Sequence, residues 1–211
     1  MGSTQPAFHL TALDHQLLSM TDEEFIPHDW EDLRSIIARN DLGALKRKPS
    51  DLRRYLAWSA ETKAQYGSIM NYICQNRLHW SLPAPGNESG AFRNPRPFAD
   101  PEDYKILRND WPYGLTPGIS HLVVWLRTPI PVRSEEGHLT DESRALIEGF
   151  VHKTFVARLA RDAHAFTRPE EHVLWFKNWV GLQSVRALEH VHILVRDVPE
   201  DILVEWSGET R

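Results

Sequence analysis

Residues 188–195 constrain the fold of this chain more than any other segment, because their side chains alternate between two kinds. Such alternation is typical of a β-strand, in which successive side chains point to opposite faces. One face would carry two leucines and two histidines: Leu188, His190, His192 and Leu194. The other would carry a carboxylate and a core-like aliphatic row: Glu189, Val191, Ile193 and Val195. The segment therefore predicts a strand that presents two imidazoles side by side.

The rest of the chain predicts an α+β fold around an antiparallel sheet. Apolar runs predict further strands at residues 119–126, 172–177 and 202–206. Helical spacing predicts helices at residues 30–38, 50–66, 69–78 and 141–155, and a short helical piece from residue 103. We expect a hairpin of the second and third helices, and the fourth packed on the sheet. The chain should form one domain, with a helical part (1–80), a Pro-rich loop (81–102) and a sheet-containing core (103–211).

Composition narrows the class of protein. With 41% hydrophobic residues among 211, the chain can bury a real core, and no apolar run approaches the ~20 residues of a membrane helix. The single cysteine, Cys74, and the absence of a secretory signal favour the cytoplasm. The net charge of −5 argues against indiscriminate binding of nucleic acid, including DNA, but it does not exclude a local basic patch. No Gly-rich phosphate motif is visible, so we expect no nucleotide cofactor.

Two histidines on one strand face allow several kinds of chemistry. As neutral imidazoles, His190 and His192 could act as nucleophile or as acid and base near neutral pH. A metal site would need a third ligand from Glu189, His121 or His172, which the spacing does not specify, and we expect no metal. Ser184, just before the strand, could be a nucleophile or a turn residue. The histidines could equally be satisfied structural residues on a half-buried strand.

The C-terminal hundred residues are similar to the histidine-triad nucleotide-binding proteins. The order PGISHLVVWLRTPI, a helix, a strand ending near Asn178, QSV and H-x-H carries the similarity. In that family the turn leads into three alternating histidines. Here Leu188, His190 and His192 would take the three places, so the first histidine is missing. The resemblance implies a related sheet and leaves a nucleotide hydrolase or transferase as an alternative function.

Four motifs spanning most of the chain resemble a fungal family of N-acetylglucosamine-induced proteins. They are SDLRRYLAWSAETKAQYGS, FADPEDYKILRNDWPYG, HLVVWLRTPIPV and NWVGLQSVRALEHVHILV, in that order. Members resembling this chain in length are arginine-containing cyclodipeptide synthases. The resemblance implies that arginine from arginyl-tRNA is joined with a second amino acid, from a second aminoacyl-tRNA, to form a diketopiperazine. A regulatory protein of amino-sugar metabolism without catalytic activity is the other alternative.

Such a reaction would distribute roles among several residues. The histidines would supply base and acid, while Glu189, on the other strand face, would orient structure or bind guanidinium. We predict a substrate site from one amide, two acids and two aromatic residues that could hold or stack on a guanidinium: Asn178, Asp103, Asp110, Trp111 and Tyr113. Contacts to tRNA phosphates are predicted for a basic cluster, which could instead be a solvated helix start: Lys46, Arg47, Lys48, Arg53 and Arg54.

Overall fold

The sheet at the centre of the fold has four strands and is antiparallel, as predicted, and three of the four strands lie where the sequence patterns predicted them. The computed structural model describes residues 10–81, 92–133, 138–179 and 188–210. The strands are β1 (Tyr104–Arg108), β2 (Ile119–Leu126), β3 (Val173–Phe176) and β4 (Glu189–Arg196). Their order in the sheet is β1-β2-β4-β3, so the histidine strand β4 is central and hydrogen-bonded on both sides.

The two faces of β4 carry the two sets of side chains that the sequence predicted. Val191, Ile193 and Val195 are buried in the main core, which covers one face of the sheet. Helix α5 (Asp141–Val151) packs there through Ile147, Phe150 and Val151, which confirms the predicted packing of this helix. The opposite face, which carries His190 and His192, meets the N-terminal helices. The sheet is therefore a middle layer between two groups of helices.

The N-terminal half supplies the helices on the histidine face. They are α1 (Ala12–Ser19), α2 (Trp30–Ala38), α3 (Pro49–Tyr66) and α4 (Ile69–Tyr72), which continues as a π-helical segment (Ile73–Leu78). Gly67 ends α3 with φ of 78°, a conformation that favours glycine, and the Ser68 hydroxyl accepts from the backbone of Asn71 to begin α4. The α3–α4 hairpin and the helix at residues 30–38 are confirmed. Cys74, within this hairpin, is buried.

The helix after β2 begins as its sequence predicted. The Thr140 hydroxyl accepts from the Ser143 backbone, and Asp141 and Glu142 occupy the first turn, where acids interact favourably with the helix dipole. The helix continues from α5 through a π-helical segment (His152–Val156) into α6 (Ala157–Leu159). A last helix, α7 (Glu200–Ser207), also packs on the main core through Ile202 and Leu203.

Two predicted elements were wrong, and the start of a third was misplaced by one residue. Residues 104–108 form the edge strand β1 and not a helical piece, because Ile106 and Leu107 are buried on opposite faces. Residues 202–206 lie in helix α7 and not in a strand, since Pro199 and two acids form a helix start before the apolar run. Helix α3 begins at Pro49, with Lys48 at the N-cap position, one residue before the predicted Ser50 cap. Across the described residues, no helix is long and apolar enough to span a membrane.

Candidate active site

A cleft opens between the histidine face of the sheet and the α3–α4 hairpin. Its inner part, the inner cleft, has a volume of about 80 Å³, enough for several waters or one small polar group. Its walls combine apolar and aromatic side chains, including Tyr55, Trp58, Leu107 and Trp125, with charged and polar groups that include His190. An outer cleft of about 400 Å³ adjoins it and shares Trp58, Asp110 and Trp111. The inner cleft therefore suits a reacting group and the outer cleft a side chain.

His190 presents one ring nitrogen that is available for proton transfer. Its Nδ1 lies 2.9 Å from the Leu188 carbonyl oxygen, which can only accept, so the neutral ring carries its proton on Nδ1. Nε2 then keeps its lone pair. The ring packs on Trp125, with centroids 4.8 Å apart, and its side of β4 lines the inner cleft. Burial lowers the pKa of His190 to about 4, and the Lys177 charge contributes, so the imidazole is neutral at physiological pH.

His192 has its ring nitrogens engaged by neighbours. Its Nδ1 lies 3.0 Å from Nε2 of His121 on β2, and its Nε2 lies 3.3 Å from the Asn178 amide nitrogen. The ring is stacked on Phe176, with centroids 4.8 Å apart and an angle of 13°. Burial holds the pKa of His192 well below its ordinary value and lowers that of His121 to about 3. His192 is thus built to position neighbouring groups rather than to exchange protons freely.

Arg47 brings a positive charge into the inner cleft. Its guanidinium lies over the Tyr55 ring, 4.3 Å from the centroid, and its Nε donates to the Trp111 carbonyl at 3.2 Å. The backbone N–H of Gly114 donates to the Lys46 carbonyl, which fixes this segment beside the turn that carries Trp111. No carboxylate of the described residues forms an ion pair with Arg47. A half-buried guanidinium without a counter-ion favours an anionic or strongly polar group in the cleft.

Asp110 belongs to an ion-pair cluster at the border between the two parts of the cleft. Arg77 donates from Nε and a terminal nitrogen to the two Asp110 oxygens, at 2.9 and 2.8 Å. The same guanidinium is paired with Glu209, which also accepts from the Arg108 backbone at 2.7 Å. Hydrogen bonds from Arg77 and Arg108 lower the pKa of Glu209 in spite of its partial burial. The cluster ties the C-terminal segment to the cleft wall.

The structure brings several of the predicted site residues together. Trp111 lines both parts of the cleft. Tyr113 and Asn178 instead support the histidine pair: Tyr113 stacks on His121, with centroids 5.4 Å apart, and Asn178 is buried against His192. Both therefore contact the site from behind rather than lining the cleft.

Other predicted site residues lie elsewhere. Asp103 is buried, and its carboxylate accepts from the backbone of Arg93 and Asn94, so it organises the loop before β1. Glu189 points to the opposite strand face, where it pairs with Lys177 at 3.0 Å. Ser184 lies outside the described residues.

The predicted basic cluster is divided among different contacts. Only Arg47 lines the inner cleft. Lys48 pairs with Asp22 at 3.1 Å, and Arg54 pairs with Asp51 at 3.3 Å and lines the outer cleft. Arg53 donates to the Leu18 and Met20 carbonyls that end α1. The backbone of Lys46 donates to the His28 ring. These residues do not share one basic face.

Sequence reasoning missed the contribution of three residues to the site. His121 was considered only as a possible metal ligand, although its place on a face with Val123 and Trp125 was available as a signal. Arg77 and Trp58 lie on the helical hairpin, and no local pattern separates them from ordinary surface or core positions. In the described part of the chain, no group of three or more His, Cys, Asp or Glu side chains could hold a metal.

The fold and the site define an α+β protein whose antiparallel sheet buries a histidine network beneath an aromatic cleft. The chain belongs to the family described as protein of unknown function DUF3605, whose model matches residues 29–196. The predicted relationship to fungal N-acetylglucosamine-induced proteins is confirmed, whereas the cyclodipeptide synthase activity stays a prediction. The comparisons give no support to a histidine-triad relationship, which stays a prediction.

Two curated fungal relatives match most of the chain. N-acetylglucosamine-induced protein 1 of Candida albicans is 30% identical over 200 residues, covering 87% of this chain and 75% of the relative. The uncharacterized protein YPL067C of Saccharomyces cerevisiae is 31% identical over 185 residues, covering 86% and 82%. The crystal structure of HTC1 has 30% sequence identity and a TM-score of 0.59, covering 82% of this chain and 86% of that one. These comparisons support the α+β fold and the family.

Proposed function

We propose that this protein is an aminoacyl-tRNA-dependent cyclodipeptide synthase that joins arginine from arginyl-tRNA with a second aminoacyl group. One observation carries the proposal: His190 faces the inner cleft with Nε2 unprotonated, and the Arg47 guanidinium lines the same cleft. A base and a fixed positive charge are the two groups that aminolysis of an ester requires most. The motif resemblance supplies the arginine and the tRNA carrier.

His190 supports a complete sequence of proton transfers. The free amine of one aminoacyl group attacks the ester carbonyl carbon of the other, and Nε2 accepts the proton that the nitrogen loses. The C–N bond forms as the ester C–O bond breaks, and the imidazolium returns its proton to the departing tRNA hydroxyl. The second amine then attacks the remaining ester in the same way and closes the ring. Two tRNA hydroxyls are released for two amide bonds formed.

Arg47 supports the same steps through charge. The carbonyl oxygen becomes an oxyanion during each attack, and a guanidinium without a carboxylate partner can neutralise it. The apolar walls contributed by Leu107 and Trp125 reduce the local dielectric and strengthen that interaction. Burial lowers the pKa of His190 and so keeps its imidazole unprotonated at neutral pH, the state in which Nε2 can accept a proton.

The tRNA itself would meet a surface of mixed charge. The pair Arg54–Asp51 is exposed, Lys48 keeps 46% of its side chain exposed beside Asp22, and exposed pairs contribute little stability. Their cations can therefore exchange a carboxylate for a phosphate at little cost. Binding through a few such exchanges should be weak and strongly dependent on salt.

Small-molecule mass spectrometry tests the proposal. Purified protein is incubated with tRNA, the synthetases, ATP, arginine and the other amino acids, beside a control treated with RNase. A cyclic arginine dipeptide that disappears with RNase is the expected result. Verified charged tRNAs without any cyclic product would contradict the proposal. Nucleoside phosphate hydrolysis would then favour the histidine-triad alternative, and inactivity in both assays the regulatory protein.

A further inference from the structure

The walls of the outer cleft combine aromatic rings with carboxylates. Three aromatic side chains line it, Trp58 from α3, Tyr72 from α4 and Trp111 from the turn after β1. The Trp58 ring centroid lies 5.3 Å from that of Trp111 and 5.4 Å from that of Tyr72. Trp58 and Tyr72 belong to the two helices of one hairpin, whereas Trp111 lies about 40 residues further along the chain, so packing of the hairpin against the turn after β1 assembles the group.

Two carboxylates accompany these rings. The side chains of Asp51 and Asp110 are 40% and 44% exposed and both line the outer cleft. Asp110 receives one donor from Arg77 on each oxygen, and a carboxylate can accept about four hydrogen bonds, so further donors can bind. The negative charge of Asp110 also contributes, after burial, to raising the pKa of Tyr72.

Arg54 is the single cation among the residues that line the outer cleft within the described ranges. Its side chain is 73% exposed and reaches Asp51 at 3.3 Å, one turn away on the same helix. A pair of this kind is weak because both groups stay hydrated. A cation that is held against the aromatic rings can therefore displace Arg54 from Asp51 at low cost. Arg54 occupies the position that a ligand cation would take.

We propose that the outer cleft is a subsite for a planar organic cation, and that it binds the guanidinium of the arginyl substrate. The use of arginine rests on the proposed function, whereas recognition of the cation rests on the aromatic and acidic walls. Flat, weakly hydrated guanidinium groups stack on aromatic rings and hydrogen-bond to carboxylates at their edges. The assignment gives Asp51, Trp58 and Tyr72 a role in specificity and places the ester toward His190.

Agmatine and citrulline methyl ester test this subsite without tRNA or turnover. Agmatine keeps the guanidinium, whereas citrulline carries an uncharged urea of nearly the same shape. Calorimetric titration should give agmatine a dissociation constant of about 1–10 mM, with citrulline methyl ester at least about 10-fold weaker. Equal binding of the two, or no agmatine binding in this range, would overturn the subsite. Neither result would affect the test of cyclodipeptide formation, which is a separate measurement.

Variants distinguish recognition of the cation from a structural role. Asp51→Asn and Trp111→Leu should each weaken agmatine binding about 10-fold. Arg54→Gln should strengthen it, because the competing cation is removed. Glu61→Gln, which removes an exposed acid from the same helix, is the matched control and should change nothing. Unchanged affinity in Asp51→Asn and Arg54→Gln, with thermal unfolding of both as in the wild type, would overturn the assignment.

Discussion

Nε2 of His121 lies 3.0 Å from Nδ1 of His192 across the two central strands of the sheet. One proton must lie between the two nitrogens, so the pair is stable only when at least one ring is neutral. Burial lowers the pKa of both rings and that of His190 beside them. The centre of this fold therefore depends on three neutral imidazoles in one buried network.

As the pH is lowered, the protein should begin to lose stability at a higher pH than an ordinary domain of this size. The unfolded chain binds protons on these histidines below pH ~6.5, whereas the folded state takes them up only at lower pH. Stability is therefore highest above pH ~6.5 and falls as the pH is lowered, by up to about 1.4 kcal/mol per pH unit for each histidine. Urea unfolding at a series of pH values measures this slope.

His121→Gln removes one of the four histidines whose pKa burial lowers, which are His28, His121, His190 and His192, and should flatten that slope by about one quarter between neutral pH and the His190 pKa of about 4. His164→Gln replaces an exposed histidine and serves as the control, with an unchanged slope. Equal slopes in wild type and His121→Gln would mean that the buried rings are not neutral in the folded state.

Removing the base should abolish most turnover. His190→Gln should lower the rate by more than ~100-fold, in the range lost when general acid–base help is removed, while the far-UV spectrum stays native. His192→Ala should also lower turnover by more than ~100-fold, and it should destabilise the fold as well because its partners His121 and Asn178 are left buried. Wild-type rates in both variants would exclude this strand from the mechanism.

The pH profile of kcat/KM should lack the fall near pH ~6.5 that protonation of an ordinary catalytic histidine causes. Such a fall is called a limb of the profile. With a pKa of about 4 for His190, the enzyme should add no fall in kcat/KM between pH 8 and 6, and a decline in that range should follow only the attacking α-amine of the substrate, whose ordinary pKa is about 7.7–8.0. Lys177→Gln removes a charge that lowers the pKa and leaves Glu189 unpaired, so the limb should move upward. A limb near pH 6.5 in the wild type would contradict the burial of the base.

The C-terminal ion-pair cluster should stabilise the wall of the cleft. Glu209→Ala should reduce the free energy of unfolding by about 1 kcal/mol, because Arg77 and the Arg108 backbone lose a partly buried partner. Glu61→Ala, which removes the same charge at an exposed position in the middle of α3, is the matched control. Equal denaturation midpoints for Glu209→Ala and the wild type would mean that the cluster contributes no stability.

Much of the fold could be predicted from side-chain patterns. The alternation in β4 correctly separated its histidine face from its core face, and the capping residues Thr140 and Ser68 correctly marked helix starts. Local signals failed where they were ambiguous. The apolar residues of 202–206 fit both a strand and a buried helix, and only the preceding Pro199 and acids favour the helix.

The candidate site was harder to predict because non-local contacts assemble it. No spacing rule indicates that His121 pairs with His192, since that contact depends on the order of strands in the sheet. In the sequence, Asp103 could be a carboxylate that is available to a ligand. In the structure, its oxygens accept hydrogen bonds from the backbone N–H groups of Arg93 and Asn94. The basic cluster of residues 46–54 was dispersed because Lys46, Arg47 and Lys48 precede α3 in an extended segment with separate contacts, and Arg53 and Arg54 are successive residues of the helix that reach different neighbours.

The most direct test of the account is the conversion of purified arginyl-tRNA and a second charged tRNA into a cyclic dipeptide, measured for wild type beside His190→Gln. The wild type should form a cyclic dipeptide that RNase abolishes, and His190→Gln should form it more than ~100-fold more slowly. The rate of His164→Gln should equal that of the wild type. Product at the wild-type rate from His190→Gln would contradict the role of this histidine. No product from any of the three proteins, with both tRNAs verified as charged, would contradict the proposed function itself.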